Sequence, residues 1–253
     1  MAFAVDPHAY DRFMGRYSEL LAPQLADLAH VAHGQRVVDV GCGPGALTRE
    51  LVARLGAGSV SAAEPSEQFV AAIEQRYPGV DVRRAPAEQL PFADGEFDAA
   101  LAQLVVHFMK DPVAGLTEMA RVVHPGGMVA ASVWDFGGGN APLSLFWRVA
   151  RELDPEAPGE AGRAGTNAGQ LTEILTAAGL RDIEEAGHAA EVEYQTFEEW
   201  WEPYTYGVGP TGAFCAQLSE ERRLELREAC RAALPRPPFV ITSSAWAARG
   251  TRP

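Results

Sequence analysis

The residues of this chain best suited to chemistry lie in Val37–Gly45, VVDVGCGPG. A β-branched run enters the segment and an Ala/Leu-rich run leaves it, so Gly41, Gly43 and Gly45 read as a strand-to-helix turn. Such a turn lets backbone N–H groups approach a ligand closely, and the following helix adds its positive end. On pattern alone Gly41-x-Gly43-x-x-Ala46 fits the dinucleotide fingerprint, and a tight turn with no ligand is the alternative reading. Asp39 stands two residues before the first glycine. Glu64 closes the next β-branched run, where an acid can accept hydrogen bonds from both hydroxyls of a ribose. His107 follows a further apolar run; with an ordinary pKa near ~6.5 it could take a proton at neutral pH. The alternative is a packing histidine.

Other chemistries find little support. Cys42, Cys215 and Cys230 form no C-x-x-C pair and are odd in number, which argues against a disulfide framework and a zinc site. His30 and His33 could share a helix face but have no acidic or cysteine ligand nearby, so no metal is expected. The net charge is −13, with Lys110 the single lysine, which disfavours nucleic acid and anionic membrane surfaces as partners. No apolar run approaches ~18 residues, and the N-terminus lacks a basic region followed by an apolar one. At 47% hydrophobic and 22% charged residues the chain reads as an ordinary globular protein, with the cytoplasm as the expected compartment.

The elements that must position these residues alternate in type. Arg36–Val40, Ser59–Ala63, Val80–Arg84, Phe97–Leu101 and Met128–Trp134 read as strands, the last preceded by an HPGG turn. Ala46–Leu55, Ser66–Arg76 and Asp111–Val123 read as helices, with Ser66 and Asp111 as N-caps and Pro112 at a first helical position. Tyr10 to Val31 reads as one or two helices with a stripe of Leu20, Leu21, Leu25 and Leu28, Pro23 starting the second. This order implies an α/β fold with a mostly parallel, doubly wound sheet. Its ligand would sit outside the carboxyl ends of the strands, where the strand order reverses.

Beyond Asp135 the pattern is less regular. Residues 135–168 form a Gly/Pro-rich excursion with a short helix at Leu145–Leu153. A helix at Gln170–Ala178, a strand from Arg181 to Ala186 and a final strand at Phe239–Ala248 follow. Between the last two strands, residues 196–234 read as a mostly helical insertion acting as a lid. Its aromatics, Phe197, Trp200, Trp201, Tyr204, Tyr206 and Phe214, would either shape an acceptor pocket or form the lid's own core. Seven glutamates between Glu184 and Glu202, with no Lys or Arg among them, read as solvated surface.

Four collinear stretches, DVGCGPG (39–45), AEPS (63–66), AEQLPFADGEFD (87–98) and E-x-x-R-V-V-H-P-G-G (118–127), give the chain a specific resemblance. It resembles the class I S-adenosylmethionine-dependent methyltransferases, in the small-molecule branch that includes ubiquinone/menaquinone-type enzymes. The resemblance implies a Rossmann-like seven-stranded sheet with an antiparallel last strand. It implies one domain over residues 1–253, with a helical cap (1–33), a cofactor-binding core (34–134) and the lid insertion (196–234). Gly41, Cys42, Gly43 and Gly45 would line the methionine and ribose portion of S-adenosylmethionine. Glu64 would hold the ribose hydroxyls, with Pro65 and Ser66 beside the adenine and Ala87 and Glu88 at its edge. Gln103 would lie near the amino-acid end, and His107 would face the methyl-transfer site. The family usually carries an acid before the alanine of A-E-x-L-P; here Pro86 stands there, so either Glu88 or a backbone carbonyl takes that contact or the adenine is held less firmly.

The run Tyr10–Tyr17 is similar to the segment that covers the cofactor in such enzymes. Arg16 would pair with the cofactor carboxylate, and Tyr10 could face the sulfonium through a cation–π contact. The alternative is a surface helix anchored by aromatics. The expected reaction is methyl transfer to a small, apolar or aromatic acceptor by in-line displacement, favoured chiefly by holding nucleophile and methyl ~3–3.5 Å apart. A Rossmann-like binding protein without turnover is a second reading. An NAD-dependent oxidoreductase is a third, but its common Tyr-x-x-x-Lys pair is missing, since Val106 stands four residues before Lys110. The chain is expected to be a monomer or homodimer.

Overall fold

The computed structural model describes residues 6–253; the first five residues of the expected N-terminal cap lie outside them. Seven strands form one sheet: β1 (Val37–Val40), β2 (Val60–Ala63), β3 (Asp81–Arg83), β4 (Phe97–Gln103), β5 (Val123–Trp134), β6 (Arg181–Tyr194) and β7 (Phe239–Thr251). Their order is β3-β2-β1-β4-β5-β7-β6. Strands β1 to β5 run parallel, and β7 is antiparallel to both β5 and β6. The strand order reverses between β1 and β4, the switch point at which ligands bind in such sheets.

Period-two alternation explains how the sheet is covered on both faces. Val37, Val60, Leu101 and Ala130 face α2 (Arg16–Leu28) and α3 (Ala46–Leu55) through Leu25, Ala26, Leu47 and Leu51. Val38, Ala100, Val129 and Val133 face the other way. They meet Leu116 and Met119 of α5 (Pro112–Val122) and Leu171 and Leu175 of α7 (Gln170–Ala177). Helix α4 (Glu67–Arg76) adds Ile73 against Cys42 and Ala62.

Several expectations need correction. Pro23 does not start a helix: α2 runs through it. The buried stripe Leu21, Ala22, Leu25 and Ala26 outweighs the lost backbone donor, and the Gln24 side-chain amide donates to the Leu20 carbonyl at 2.8 Å. Ahead of α2, a short helix α1 (Pro7–Tyr10) leads into a π-helical turn over Asp11–Gly15. The HPGG turn is absorbed into β5 as an irregularity, since Phe97 pairs with Val123 and Ala99 next with Met128. Strand β6 continues past Ala186 to Tyr194, burying His188, Ala190, Val192 and Tyr194 while the alternate residues stay exposed. Glu191 and Glu193 belong to that exposed face, and charges there protect a sheet edge from further pairing.

After β5 come α6 (Ser144–Leu153) and α7; between β6 and β7 lie α8 (Phe197–Trp201), α9 (Gly209–Gln217) and α10 (Glu220–Ala233). The insertion helices share one aromatic core with α6 and the N-terminal segment, centred on Phe13, Tyr17, Phe146, Trp147, Trp200 and Tyr204. Phe146 stacks on Tyr204 with centroids 4.6 Å apart. The Tyr17 and Tyr194 hydroxyls share a buried hydrogen bond of 2.6 Å. The glutamates of residues 184–202 are not all idle surface. Glu184 pairs with Arg249 at 2.6 Å, Glu198 with both Arg227 and Arg231 at 2.9 Å, and Glu185 accepts the Gly169 N–H at 2.8 Å.

The E-x-x-R motif has a structural task. Arg121 donates to the carbonyls of Leu90 (3.0 Å) and Phe92 (2.9 Å) and pairs with Glu118 (2.8 Å), whose other oxygen accepts the Leu90 N–H at 3.0 Å. It thereby fixes the 87–92 loop against α5. Arg121→Ala is expected to lower the unfolding free energy by about 1–3 kcal/mol in denaturant titrations. Arg148→Ala, which breaks an exposed pair with Glu152, should stay within about 0.5 kcal/mol.

Candidate active site

A cavity of about 640 Å³ opens at the carboxyl ends of β1, β2, β4 and β5, where the topology places it. The Gly41–Leu47 turn follows β1, Glu64 and Pro65 follow β2, Gln103 to Phe108 follow β4, and Trp134 and Phe136 follow β5. Strands are ~4.8 Å apart, so the Glu64 edge and the Trp134 edge are roughly 14 Å apart.

The first edge is built around two carboxylates. Gly41 has φ +72°, and a Cβ there would collide with the Val105 side chain, so only glycine fits between β1 and the β4 loop. The buried Glu64 carboxylate accepts the Gly43 N–H (3.0 Å) and the Ser66 N–H (2.8 Å), joining the turns after β1 and β2. Burial raises its pKa, partly offset by those two donors. Asp39 is buried beneath the turn and accepts the Thr48 hydroxyl at 2.6 Å; burial pushes its pKa up to about 7. The Cys42 thiol is pushed well up by the same burial and the two nearby carboxylates. Tyr10 lines the cavity, its ring meeting Phe69 edge-on at 5.6 Å. The N-terminal segment is held down by Arg76, which bonds Asp11 at 2.6 Å and the Pro44 carbonyl at 2.8 Å.

Along the second edge, Gln103 donates its amide to the Ser18 carbonyl (2.9 Å), leaving Oε1 buried without a partner. His107 sits on a 3₁₀ turn over Val106–Phe108, its ring 3.9 Å from that of Phe108. Burial, with Arg163 nearby, lowers its pKa to about 3. That corrects the expectation of an ordinary histidine: the ring is neutral at physiological pH and has little drive to take a proton.

The structure brings Tyr10, Gly41, Cys42, Gly43, Glu64, Pro65, Ala87, Glu88, Gln103 and His107 together around the cavity. Gly45, Ser66 and Arg16 do not line it. Gly45 is the N-cap of α3 at φ +104°, and Ser66 holds the same position on α4. Arg16 points elsewhere, bonding the Glu193 carbonyl and Glu199 (both 2.9 Å) and covering the Tyr194 ring at 4.5 Å. Its guanidinium anchors α2 to the insertion. Glu88 Oε1 accepts the backbone N–H groups of Lys110 (2.7 Å) and Asp111 (3.3 Å). The aromatics Phe197, Trp200, Trp201, Tyr204, Tyr206 and Phe214 belong to the insertion's own core or its border and do not line the cavity.

Phe13 and Met14, from the Tyr10–Tyr17 run expected to cover the cofactor, line the cavity, as do Trp134, Phe136, Glu160 and the Val208–Thr211 stretch, which the sequence did not single out. For the last three the one signal was the length of the excursion after β5 and of the insertion. Among the described residues no cluster of three or more His, Cys, Asp or Glu could hold a metal.

The titration of Asp39 makes a pH prediction. Its folded pKa of about 7 stands above the ordinary 3.8, so the folded state keeps the proton longer than the unfolded chain. That contribution to stability is full at low pH and is lost as pH rises through about 7. Asp39→Asn, always neutral, should therefore gain thermal stability relative to the parent between about pH 5 and about pH 8. A pH-independent difference in midpoint would contradict the burial account.

Residues 38–131 match the family model described as a methyltransferase domain. The malonyl-[acyl-carrier protein] O-methyltransferase of Erwinia billingiae is 30% identical over 168 residues, covering 64% of this chain and 66% of that protein. The ubiquinone biosynthesis O-methyltransferase of Rhizobium rhizogenes is 39% identical over 122 residues, covering 47% of this chain and 48% of that one. The chain thus spans less than two thirds of the length of these curated relatives. A Haemonchus contortus N-methyltransferase solved with phosphomonomethylethanolamine and S-adenosylhomocysteine shares the fold. Its TM-score is 0.60 at 19% identity, covering 98% of this chain and 57% of that chain. The matched domain, the collinear motifs and the shared sheet agree: residues 38–131 match a methyltransferase domain, carried on a fold that solved methyltransferases share.

Proposed function

We propose that this protein transfers a methyl group from S-adenosylmethionine to a small, apolar or aromatic acceptor. The observation that carries the reading is the two-ended cavity: a carboxylate and glycine turn at one edge, an apolar wall at the other. The residues present fit the cofactor. Glu64 retains acceptor capacity for two ribose hydroxyls beyond its two backbone donors, and the orphaned Gln103 Oε1 suits an ammonium group. Pro65, Ala87 and Glu88 supply the walls of the adenine end, and Tyr10 offers a ring face to the sulfonium.

Bound there, the cofactor supplies a methyl group already activated by positive sulfur. The protein's part is to position and to exclude water. Phe13, Met14, Trp134, Phe136 and Leu143 form an apolar wall that would hold the acceptor in line. His107 contributes a neutral ring to that wall. The N-terminal segment and the 196–234 insertion act as cap and lid, since Tyr10, Phe13 and Val208–Thr211 close the cavity from two sides.

The domain layout of residues 1–33, 34–134 and 196–234 follows from this reading. No described helix is long and apolar enough to cross a membrane, and the three cysteines are free; both suit a cytoplasmic enzyme, as monomer or homodimer. The net charge of −13 makes nucleic acid an unsuitable acceptor.

Calorimetric titration tests the cofactor assignment. S-adenosylmethionine and S-adenosylhomocysteine should bind saturably, and Glu64→Ala should weaken both by about 10- to 100-fold, the worth of charge-assisted hydrogen bonds. NAD binding with no response to the sulfur compounds would overturn the proposal.

A further inference from the structure

Glu160 lies on the irregular excursion after β5, is 2% exposed, and lines the cavity. Its Oε2 is buried without a hydrogen-bond partner, and the nearest cation, Arg163, stands 4.0 Å from Oε1. A buried carboxylate so poorly satisfied is costly and calls for an explanation. Burial raises its pKa to about 7, although Arg163 and the Trp147 indole pull the other way.

Its surroundings locate it. Arg163 also covers the Phe108 ring at 5.2 Å, Phe108 lies against His107, and His107 meets Phe136 edge-on at 6.0 Å. Glu160 therefore stands with the β4 and β5 end of the cavity, away from the Glu64 edge. Beyond the Gln103 Oε1 assigned to the cofactor, two more cavity-lining atoms are buried without partners, His107 Nδ1 and Thr211 Oγ1. Three unsatisfied polar groups set among aromatic walls describe a pocket that orients one polar head on an apolar body.

We propose that Glu160 is the specificity-determining residue of the acceptor site, and that the acceptor is an uncharged, ring-sized apolar molecule whose hydroxyl donates a hydrogen bond to it. The charges around this end of the cavity select a neutral head. An anionic head would meet Glu160 in a desolvated site, and a cationic one would meet Arg163 and the cofactor's sulfonium. A hydroxyl satisfies the carboxylate without adding charge, and its body fills the space beside Phe136 and Trp134. This inference rests on the reading of the Glu64 edge as the cofactor's seat.

The test uses the full chain saturated with S-adenosylhomocysteine and two probes of equal body, 4-propylphenol and 4-propylanisole, followed by tryptophan fluorescence. The parent protein should bind the phenol at least tenfold more tightly than the anisole, which cannot donate. Glu160→Leu should abolish that preference, leave S-adenosylhomocysteine affinity unchanged, and raise the thermal midpoint, because an unsatisfied buried carboxylate has been replaced by an apolar group. A carboxylate with a purely structural role would instead lower the midpoint and leave the probe preference alone. Should the leucine variant not fold, Glu160→Gln keeps the shape without the charge and should reduce the preference at least threefold. Equal binding of the two probes by the parent, binding of neither, or a preference retained in the variants would overturn the proposal. Failure of the parent to bind S-adenosylhomocysteine at all would instead remove the cofactor assignment beneath it.

Discussion

The Glu64 carboxylate joins two strand-to-helix turns that are 21 residues apart in sequence between Gly43 and Glu64. One oxygen holds the Gly43 N–H and the other the Ser66 N–H, so the ends of β1 and β2 become a single surface. The carboxylate is buried, so these bonds are worth more than they would be in water, and leaving them unmade would be costly. Asp39 and Thr48 secure the same turn from below, and Gly41 lets Val105 of the neighbouring loop close against it. The carboxyl edge of the sheet is thus a preorganised seat whose polar atoms are already aimed before anything binds.

The rest of the chain builds on that seat by adding walls. The sheet order sets how far apart the walls can be: β3, β2 and β1 lie to one side of the switch point and β4 and β5 to the other. The N-terminal segment crosses above, held by Arg76 to both Asp11 and the Pro44 carbonyl. The insertion closes from the far side, with Val208–Thr211 at the cavity and its aromatics packed away in a core shared with α6. Arg16 links the two roofing elements through Glu199 and the Glu193 carbonyl. Movement of either element would therefore be felt by the other.

The Glu64 edge was legible in the sequence because its chemistry is local. A β-branched run, a glycine turn and an acid at the end of the next strand each declare themselves within a few residues. The opposite edge was not legible, because Glu160 and Phe136 come from irregular segments with no period to read, and Thr211 from the Gly-Pro-rich first turn of α9. Arg16 was misplaced for a related reason: its partner Glu199 lies far along the chain, and only the packed insertion brings them together. The extension of β6 was hidden by glutamates on its exposed face, which mask the alternation of His188, Ala190, Val192 and Tyr194. The behaviour of His107 needed the structure as well, since nothing in the sequence says that the ring would be buried against two phenylalanines and beside Arg163.

A crystal structure of the complex with S-adenosylhomocysteine tests the central claim most directly. The account predicts the ribose hydroxyls on Glu64, the amino-acid end beside Gln103, and the space between Phe136, Trp134 and Glu160 left open for an acceptor. A nucleoside seated instead against Phe136 and Glu160, with Glu64 untouched, would contradict it.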